Sequence, residues 1–377
     1  MSVKKYEIGD TIIDCKPLVH TIVNNKKRKV CDNCFVSITG QQQMIYECSG
    51  CHHMFYCSAD CLTLDRRCHQ LECHIYEPYY SPYLEEYMLR LMLRLYLMVI
   101  NDKDMSLQDK CYEIYNGKVR RFNDMETHLD LISRDNNRMK IFDYLCDNFV
   151  YYAKEFSFIL SRNLLFTLYC RYLINHFKII DHKVNSCEII GSGLYMKASV
   201  LNHSCRPNSA VTYCGSRLIL KAIEKIAIGE DITINYCDLE VRVEMRNKHL
   251  LKYLYFECFC PKCLSGDQYI DFDVFNKIKY LLKQESRQEL PNWLVLNVLT
   301  DIFIKLYHQI YNKYHPNLIT TLIIILSHKL RNKCENIKHL NDCISETRHR
   351  IELIFGTKHA IYRQFIECLE EKHVFHL

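Results

Sequence analysis

The pattern of apolar and polar positions predicts β structure in two separate parts of the chain. In residues 1–30, apolar residues such as Ile12 and Val19 stand between polar ones. Residues 185–240 contain short apolar runs separated by turn residues. Alternation and short runs bounded by turn residues are typical of strands.

Between and after these β segments, apolar residues recur at the spacing of amphipathic helices. Residues 83–180 and the chain from 265 onward both show it, and glycine is nearly absent from 83–180. A period of three to four residues predicts helices with one apolar face. The positions that mark these faces include Leu89, Leu91, Met92, Leu95, Met98, Phe303, Leu306 and Ile310. The predicted fold class is α+β.

Composition narrows the class of protein. The chain has 377 residues, enough for two or three domains, and its 49% hydrophobic and 25% charged residues are typical of a globular protein. No apolar run reaches 18 residues, so no membrane span is predicted. The net charge of +5 is mild, and the basic run 26–29 is typical of a solvated loop. Nucleic-acid binding, which this run would support, is therefore not favoured.

Seven cysteines and one histidine between residues 31 and 73 form four closely spaced pairs. The pairs are Cys31 and Cys34, Cys48 and Cys51, Cys57 and Cys61, and His69 and Cys73. Four pairs provide enough sulfur and nitrogen ligands for two tetrahedral zinc sites. Because so short a segment cannot bury a sufficient core, zinc is expected to supply much of its folding free energy, about 10–16 kcal/mol in small fingers.

Two alternatives to this ligand set exist within the sequence. A disulfide scaffold is disfavoured, because the N-terminal residues are polar and do not resemble a secretory signal. Neighbouring groups also offer other ligands, and spacing favours His69 over them. These groups are Cys68, His52, His53 and His74.

A second cysteine cluster lies near residue 260. Cys258, Cys260 and Cys263 provide three ligands where a closed zinc site needs four. The best candidate for the fourth is Cys205, within the segment Asn202-His203-Ser204-Cys205. Spacing alone leaves this pairing open.

The 31–73 segment resembles the MYND zinc finger, including Tyr56-Cys57-Ser58 at its centre. The resemblance implies interleaved pairs: Cys31, Cys34, Cys57 and Cys61 would bind one zinc ion, and Cys48, Cys51, His69 and Cys73 the other. MYND fingers are mostly protein-interaction modules, so a proline-rich peptide is an expected partner.

Other motifs resemble the SET domain. They are Gly191-x-Gly193, the Asn202–Asn208 segment, the run from Gly229 to Tyr236 and the cysteines 258–263. A MYND finger combined with these motifs is typical of the SMYD family of protein-lysine methyltransferases. The resemblance implies a split SET β-fold with the finger and a helical segment inserted, a third zinc site, and a C-terminal tetratricopeptide-like helical domain. The implied boundaries are 1–30, 31–73, 74–184, 185–240, 241–264 and 265–377.

The family resemblance also implies the site residues. Tyr236 would be the catalytic phenol, placed at the end of a narrow channel that receives the substrate amine. S-adenosylmethionine would be the cofactor, and Cys205 would complete the third zinc site. The residues expected to contact the cofactor are His128, Asn185, Asn202, His203, Tyr236 and Phe256.

Three features differ from the family pattern. The glycine-rich cofactor loop of the family would lie before Met1, because Ile8–Ile13 matches the strand that follows that loop. Leu254 stands where a second channel tyrosine is expected, and Cys187 where an aromatic residue is expected. The leading hypothesis is a lysine methyltransferase acting on histones or other proteins, monomeric, in the cytoplasm or nucleus. The alternative is a catalytically weak zinc adaptor that uses the finger and the helical domain to bind partners.

Overall fold

The computed structural model describes residues 1–39, 45–75, 86–102, 110–156, 158–183, 186–267, 270–285, 292–332 and 337–370. The strands are β1 (Thr11–Cys15), β2 (Val19–Ile22), β3 (Tyr46–Glu47), β4 (Phe55–Tyr56), β5 (Tyr112–Glu113), β6 (Val119–Arg120), β7 (His176–Lys183), β8 (Ser186–Leu194), β9 (Asn202–His203), β10 (Ser209–Cys214), β11 (Arg217–Ala222) and β12 (Thr233–Ile234). The helices are α1 (Ala59–Glu72), α2 (Glu86–Ile100), α3 (Leu129–Ser133), α4 (Asn136–Phe156), α5 (Arg162–Asn175), α6 (Val243–Leu254), α7 (Pro261–Leu264), α8 (Phe272–Glu285), α9 (Trp293–Ile310), α10 (Pro316–Asn332), α11 (Ile337–Ile354) and α12 (Ala360–Leu369).

The β structure joins the N-terminal segment to a region nearly two hundred residues later in the chain. Strand β1 pairs antiparallel with β11, which pairs with β10, and β2 pairs antiparallel with β8, which pairs with β7. In β11, buried residues alternate with more exposed ones, as expected for a strand with one face on a core. The inward residues Ile13, Leu218 and Leu220 belong to one buried cluster. The two predicted β regions therefore form one β core.

The prediction of helices over 83–180 is correct for α2 to α5 but wrong in two places. Strand β7 begins at His176, and β5 and β6 form a hairpin. The hairpin turns at Asn116-Gly117, where Gly117 has φ +75° and the Asn116 side chain accepts the amide N–H of Lys118 at 3.1 Å. An Asn-Gly pair between short strands is a strong turn signal, because both residues tolerate positive φ. The hairpin was not predicted because apolar residues recur at helical spacing on both sides of it.

The helices after residue 265 form the predicted C-terminal helical region. Helices α8 and α9 bury Phe275 and Phe303 together with Leu250 and Cys258 of the preceding segment. Helices α10 to α12 form a further cluster that includes Ile223, next to β11. The helical region thus shares its core with the β structure that precedes it. None of the helices described is both long and apolar enough to cross a bilayer.

Three histidines lie where the C-terminal helices contact the β core. His315 accepts the amide N–H of Asn317 at Nδ1, 3.2 Å away, and so caps α10 in its neutral form. His359 bonds to the carbonyl of Tyr213 at 3.0 Å, and His182 packs its ring against Phe355. Burial lowers the pKa of His182 to about 4 and that of His315 to about 3.

We expect acid to weaken this contact. Because the folded pKa of His315 lies below the unfolded value near 6.5, its contribution is complete above pH 6.5 and is lost as pH falls toward 3. Of this contribution, on the order of 3 kcal/mol is lost between pH 7.5 and 4.5. Denaturant unfolding at pH 7.5 and 4.5 checks it: His315→Gln should lose less stability over this interval than the unaltered protein. Zinc loss at low pH affects both proteins equally, so equal losses would contradict the prediction.

Candidate active site and metal centres

The first cysteine cluster lies at the base of the β3–β4 hairpin and the start of α1. Ser58 caps α1 by accepting the amide N–H of Cys61 at 3.1 Å, which places Cys57 and Cys61 one turn apart. The sulfur atoms of Cys34 and Cys57 lie 3.5 Å apart, and those of Cys57 and Cys61 also 3.5 Å apart. With Cys31, these ligand atoms all lie within 4.8 Å of one another. Four sulfur atoms at these separations fit a tetrahedral zinc ion.

The second cluster lies at the other end of α1. His69 Nε2 is 3.2 Å from the sulfur of Cys48 and 3.4 Å from that of Cys51, and the sulfur atoms of Cys48 and Cys73 are 3.6 Å apart. The structure thus brings together the interleaved pairs that the MYND resemblance implies.

Two of the alternative ligands in this region face other groups. The sulfur of Cys68 lies 3.6 Å from that of Met98, and His52 bonds to Glu47 at 2.8 Å. His69 is therefore the group that completes the second set among the residues described.

A buried network of charges surrounds the outer nitrogen of His69. Glu72 Oε1 accepts from His69 Nδ1 at 3.3 Å, from Arg90 Nη2 at 3.0 Å and from Arg94 Nε at 2.6 Å. Arg90 also donates to Asp32, and Arg94 to Asp65. The Glu72 carboxylate orients the histidine ring, as the outer partners of metal-binding histidines commonly do. The same carboxylate ties α1 to α2.

The third cluster joins the loop after β9 to α7. Cys205, Cys258, Cys260 and Cys263 place their sulfur atoms within 4.8 Å of one another. The fully buried Arg246 holds α7 in place, donating to Asp267 at 2.9 Å and lying 3.9 Å from the sulfur of Cys263. The sequence left the fourth ligand open, and the geometry places Cys205 in that position.

Cys237 is a neighbour of this cluster that the sequence analysis missed. It is buried, and His203, Cys205 and Cys237 form a second group of potential ligands that shares Cys205. Its position directly after Tyr236 is the signal that could have identified it. The site therefore holds five thiols, of which four form the closed set.

All three clusters have the donor chemistry of structural zinc sites. Thiolate is the ligand form, and each of the three clusters contains a thiol whose pKa is lowered. A hydrogen bond with Cys34 lowers the pKa of Cys31 to about 5, and one with Cys205 lowers the pKa of Cys260 to about 3. Cysteine and histidine ligands in closed groups of four fit zinc better than a hard cation such as Mg²⁺.

We expect three zinc ions per chain. Cys258→Ser should reduce the content to two and loosen the segment that carries Phe256, because zinc supplies folding free energy only through its ligands. Cys237→Ser is the matched control and should retain three, since the closed set does not include it. Elemental analysis by mass spectrometry measures the content. A value near two for the unaltered chain would contradict the third site.

The two motifs of the β core meet through a short parallel strand pair. Strand β9 pairs with β12, so that Asn202 lies beside Thr233 and His203 beside Ile234. The backbone amide of Tyr236 donates to His203 Nδ1 at 2.9 Å, and the Tyr236 hydroxyl donates to the carbonyl of Leu201. These contacts fix the phenol next to the histidine. Asn202 is on the same strand and is exposed.

His203, Tyr236 and Phe256 form an aromatic cluster. The ring of His203 lies 5.3 Å from that of Tyr236 and 6.0 Å from that of Phe256, and the Tyr236 and Phe256 rings are 6.4 Å apart, edge to face. Tyr236 is 38% exposed, but its hydroxyl end is sheltered, and this burial raises the pKa of Tyr236 to about 12. The phenol is therefore protonated at neutral pH and acts as a hydrogen-bonding group.

Of the remaining predicted residues, the structure places His128 near this cluster. His128 directly precedes α3 and has φ +48°, and its ring lies 6.2 Å from that of Tyr255, which directly precedes Phe256. The Tyr255 hydroxyl donates to Asp135 at 3.0 Å, so it does not replace the phenol that Leu254 lacks. Asn185 and the side chain of Cys187 lie outside the described residues.

The fold, the Asn-His segment and the cysteine clusters define a SET-domain protein. The family model for the SET domain matches residues 5–237, and the chain belongs to this family. Within it, the chain is a member of the SMYD group. It is 28% identical to histone-lysine N-methyltransferase SMYD3 of Mus musculus over 288 residues, which cover 75% of this chain and 62% of the relative.

Two further relatives match this chain with similar identity and coverage. N-lysine methyltransferase SMYD2 of Homo sapiens is 24% identical over 71% of this chain and 58% of its own length. SMYD2-A of Danio rerio is 26% identical over 77% of this chain and 60% of its own length. The chain thus spans about three fifths of the curated relatives that it matches.

Proposed function

We propose that this chain transfers a methyl group from S-adenosylmethionine to a lysine side chain of a protein. The observation that carries the proposal is the position of Tyr236. Its backbone amide donates to His203 and its hydroxyl to the carbonyl of Leu201, at the junction of the two SET motifs, with Phe256 edge-on to its ring. The relatives named above are lysine methyltransferases, which supports the same class of reaction.

The reaction sets a clear requirement for the site. The nucleophile is the neutral lysine amine, and deprotonating a lysine of ordinary pKa at pH 7 costs about 4–5 kcal/mol. An apolar channel lowers this cost by disfavouring the ammonium form. The protonated Tyr236 phenol can accept a hydrogen bond from the amine and orient its lone pair, but it cannot act as a general base near neutral pH.

The residues present fit an adenosyl cofactor. Phe256 and His203 offer ring faces for the adenine, and Asn202 offers an exposed amide on the same strand. His128 belongs to the inserted helical segment, and its ring lies against that of Tyr255, the residue before Phe256. When bound, the cofactor would supply an electrophilic methyl group on its sulfonium. The three zinc clusters would hold the surrounding loops, with the third next to Phe256.

The substrate class also belongs to this proposal. The names of the relatives indicate lysines of histones in one case and lysines without a stated carrier in the other. A protein substrate is expected to reach Tyr236 from its exposed side, and a proline-rich peptide remains the expected partner of the finger. The test is transfer of labelled methyl from S-adenosylmethionine to histones and to a lysine peptide array, with the modified lysine identified by mass spectrometry.

One observation favours a second function. Leu254 provides no hydroxyl, and the hydroxyl of Tyr255 is bonded to Asp135. A channel with a single phenol would turn over slowly, which supports a zinc-dependent adaptor that binds partners without efficient methylation. Calorimetry separates the two functions, because an adaptor of this kind need not bind S-adenosylmethionine, whereas the enzyme must.

A further inference from the structure

Arg120 is a buried cation close to the proposed active site. It is the second residue of β6 in the hairpin that the helical prediction missed, and it is 7% exposed. Its neighbours Val119 and Arg121 are both exposed, so the strand turns only Arg120 inward. Placing a guanidinium inside a protein is costly unless it is paired, which makes its surroundings informative.

The side chain of Arg120 has no partner among the residues described. Its Nε is buried without a hydrogen bond. Arg94 and Arg246 are also buried but donate to carboxylates, Arg94 to Asp65 and Glu72 and Arg246 to Asp267, although the Nε of Arg246 is unbonded as well. Arg120 therefore has hydrogen-bonding capacity that its own fold does not use.

Two carboxylates lie near Arg120, but both are already engaged with backbone amides. Asp124 accepts the amide N–H of Arg121 at 2.7 Å. Glu126 accepts the amide N–H groups of Thr127 at 2.9 Å and His128 at 3.2 Å. Burial lowers the pKa of Arg120, and each carboxylate lies close enough to oppose this effect. Neither forms an ion pair with Arg120 among the residues described.

The guanidinium also acts on the methyl-transfer site. Its positive charge opposes the rise that burial causes in the pKa of Tyr236. Arg120 is therefore within electrostatic reach of the phenol and of Glu126, whose carboxylate accepts the amide N–H of His128. A planar donor in this position suits a carboxylate ligand, to which arginine donates two parallel hydrogen bonds.

We propose that Arg120 binds the α-carboxylate at the amino-acid end of S-adenosylmethionine and so positions the cofactor beside Tyr236. This role rests on the proposed function. The positive charge of Arg120 repels the sulfonium of the cofactor but attracts its α-carboxylate. The geometry thus favours a cofactor bound with its carboxylate toward the β5–β6 hairpin and its methyl group toward the phenol.

Calorimetry with two nucleosides tests this assignment on the full chain. S-adenosylhomocysteine retains the amino-acid end and lacks the sulfonium charge, and 5′-methylthioadenosine lacks the amino-acid end altogether. Arg120→Met should weaken binding of S-adenosylhomocysteine about 10–100-fold, as expected for hydrogen bonds to a charged group, and that of methylthioadenosine less than about twofold. The loss for S-adenosylmethionine should be smaller than for S-adenosylhomocysteine, because the repulsion is removed as well.

Arg121→Met is the matched control, since it removes the same charge one residue away on the exposed side, and it should change neither affinity. Equal weakening of both nucleosides by Arg120→Met would overturn the assignment in favour of a structural role. Unchanged affinities with an altered pH profile of turnover would overturn it in favour of an effect on the substrate amine.

Two further outcomes remain informative. If Arg120→Met does not fold, Arg120→Lys carries the test, with a loss of at least about threefold for S-adenosylhomocysteine alone expected, because lysine keeps the charge and loses the paired donors. Equal or no loss for the two nucleosides in that variant would overturn the assignment. If the unaltered chain binds none of the three nucleosides, the proposed function itself fails, which is distinct from failure of the Arg120 assignment alone.

Discussion

Tyr236→Phe should lower the rate of methyl transfer by about 10²–10³-fold, the usual effect of removing one positioned hydrogen-bonding group from an active site. The variant loses the hydroxyl that bonds to Leu201 and would receive the substrate amine, but it keeps the ring that contacts His203 and Phe256. Stability should fall by only about 1 kcal/mol. Single-turnover transfer of labelled methyl and a thermal melt measure the two effects.

Tyr253→Phe is the matched control for this variant. Tyr253 is also 38% exposed and lies three residues before Phe256, with its ring against Arg138. It should retain full activity. Cofactor affinity should be nearly unchanged in both variants. The Tyr236 hydroxyl would act on the substrate amine, and Tyr253 has no assigned role in the site. Full activity of Tyr236→Phe would remove Tyr236 from the mechanism.

Glu72→Ala should destabilise the protein by about 3–5 kcal/mol, the cost of leaving buried charges without their partner. Glu72 is 0% exposed, and its Oε1 accepts from His69, Arg90 and Arg94. The arginines hold the pKa of Glu72 well below its usual range against the opposing effect of burial. Its contribution is therefore complete above the unfolded pKa near 4.5 and is lost only as pH falls through the lower folded value.

The same variant should weaken zinc binding by the finger about 10–100-fold, because Glu72 orients the ring of His69. Urea unfolding and competition with a zinc chelator measure the two effects. Asp143→Asn is the control: its ion pair with Arg162 has both side chains 58% exposed and should be worth less than about 1 kcal/mol. If Glu72→Ala unfolded at the same urea concentration as this control, the network would not join the finger to α2.

The network also explains how the finger is attached to the rest of the molecule. Asp32 and Glu72 belong to the finger segment, whereas Arg90 and Arg94 lie on α2, which packs into the core of the inserted helical region. A charge network at this contact requires one relative placement of the two parts, because any shift leaves buried charges unpaired. Loss of zinc from the second finger site should therefore also disturb the packing of α2, because Glu72 bonds to both His69 and the arginines of α2.

The sequence by itself determined the features that are encoded over short distances. Pairs such as Cys57 and Cys61 lie one helical turn apart, so their spacing alone predicts a shared ion. The C-terminal helices follow from their apolar period. The MYND-like cysteine pairs combined with the Asn202–Cys205 and Gly229–Tyr236 motifs were sufficient to predict the SMYD family, which the comparisons confirm. The individual roles of Tyr236 and its neighbours remain predictions.

Only the tertiary structure decided which distant groups meet. The parallel pairing of β9 with β12 brings His203 to Tyr236, and the β5–β6 hairpin buries Arg120 within electrostatic reach of the same phenol. The Glu72 network unites residues from the finger and α2. Such contacts depend on how separate segments pack and which charges are buried together. The spacing of residues along the sequence does not predict these contacts, because the free energy that selects them arises only once the chain has folded.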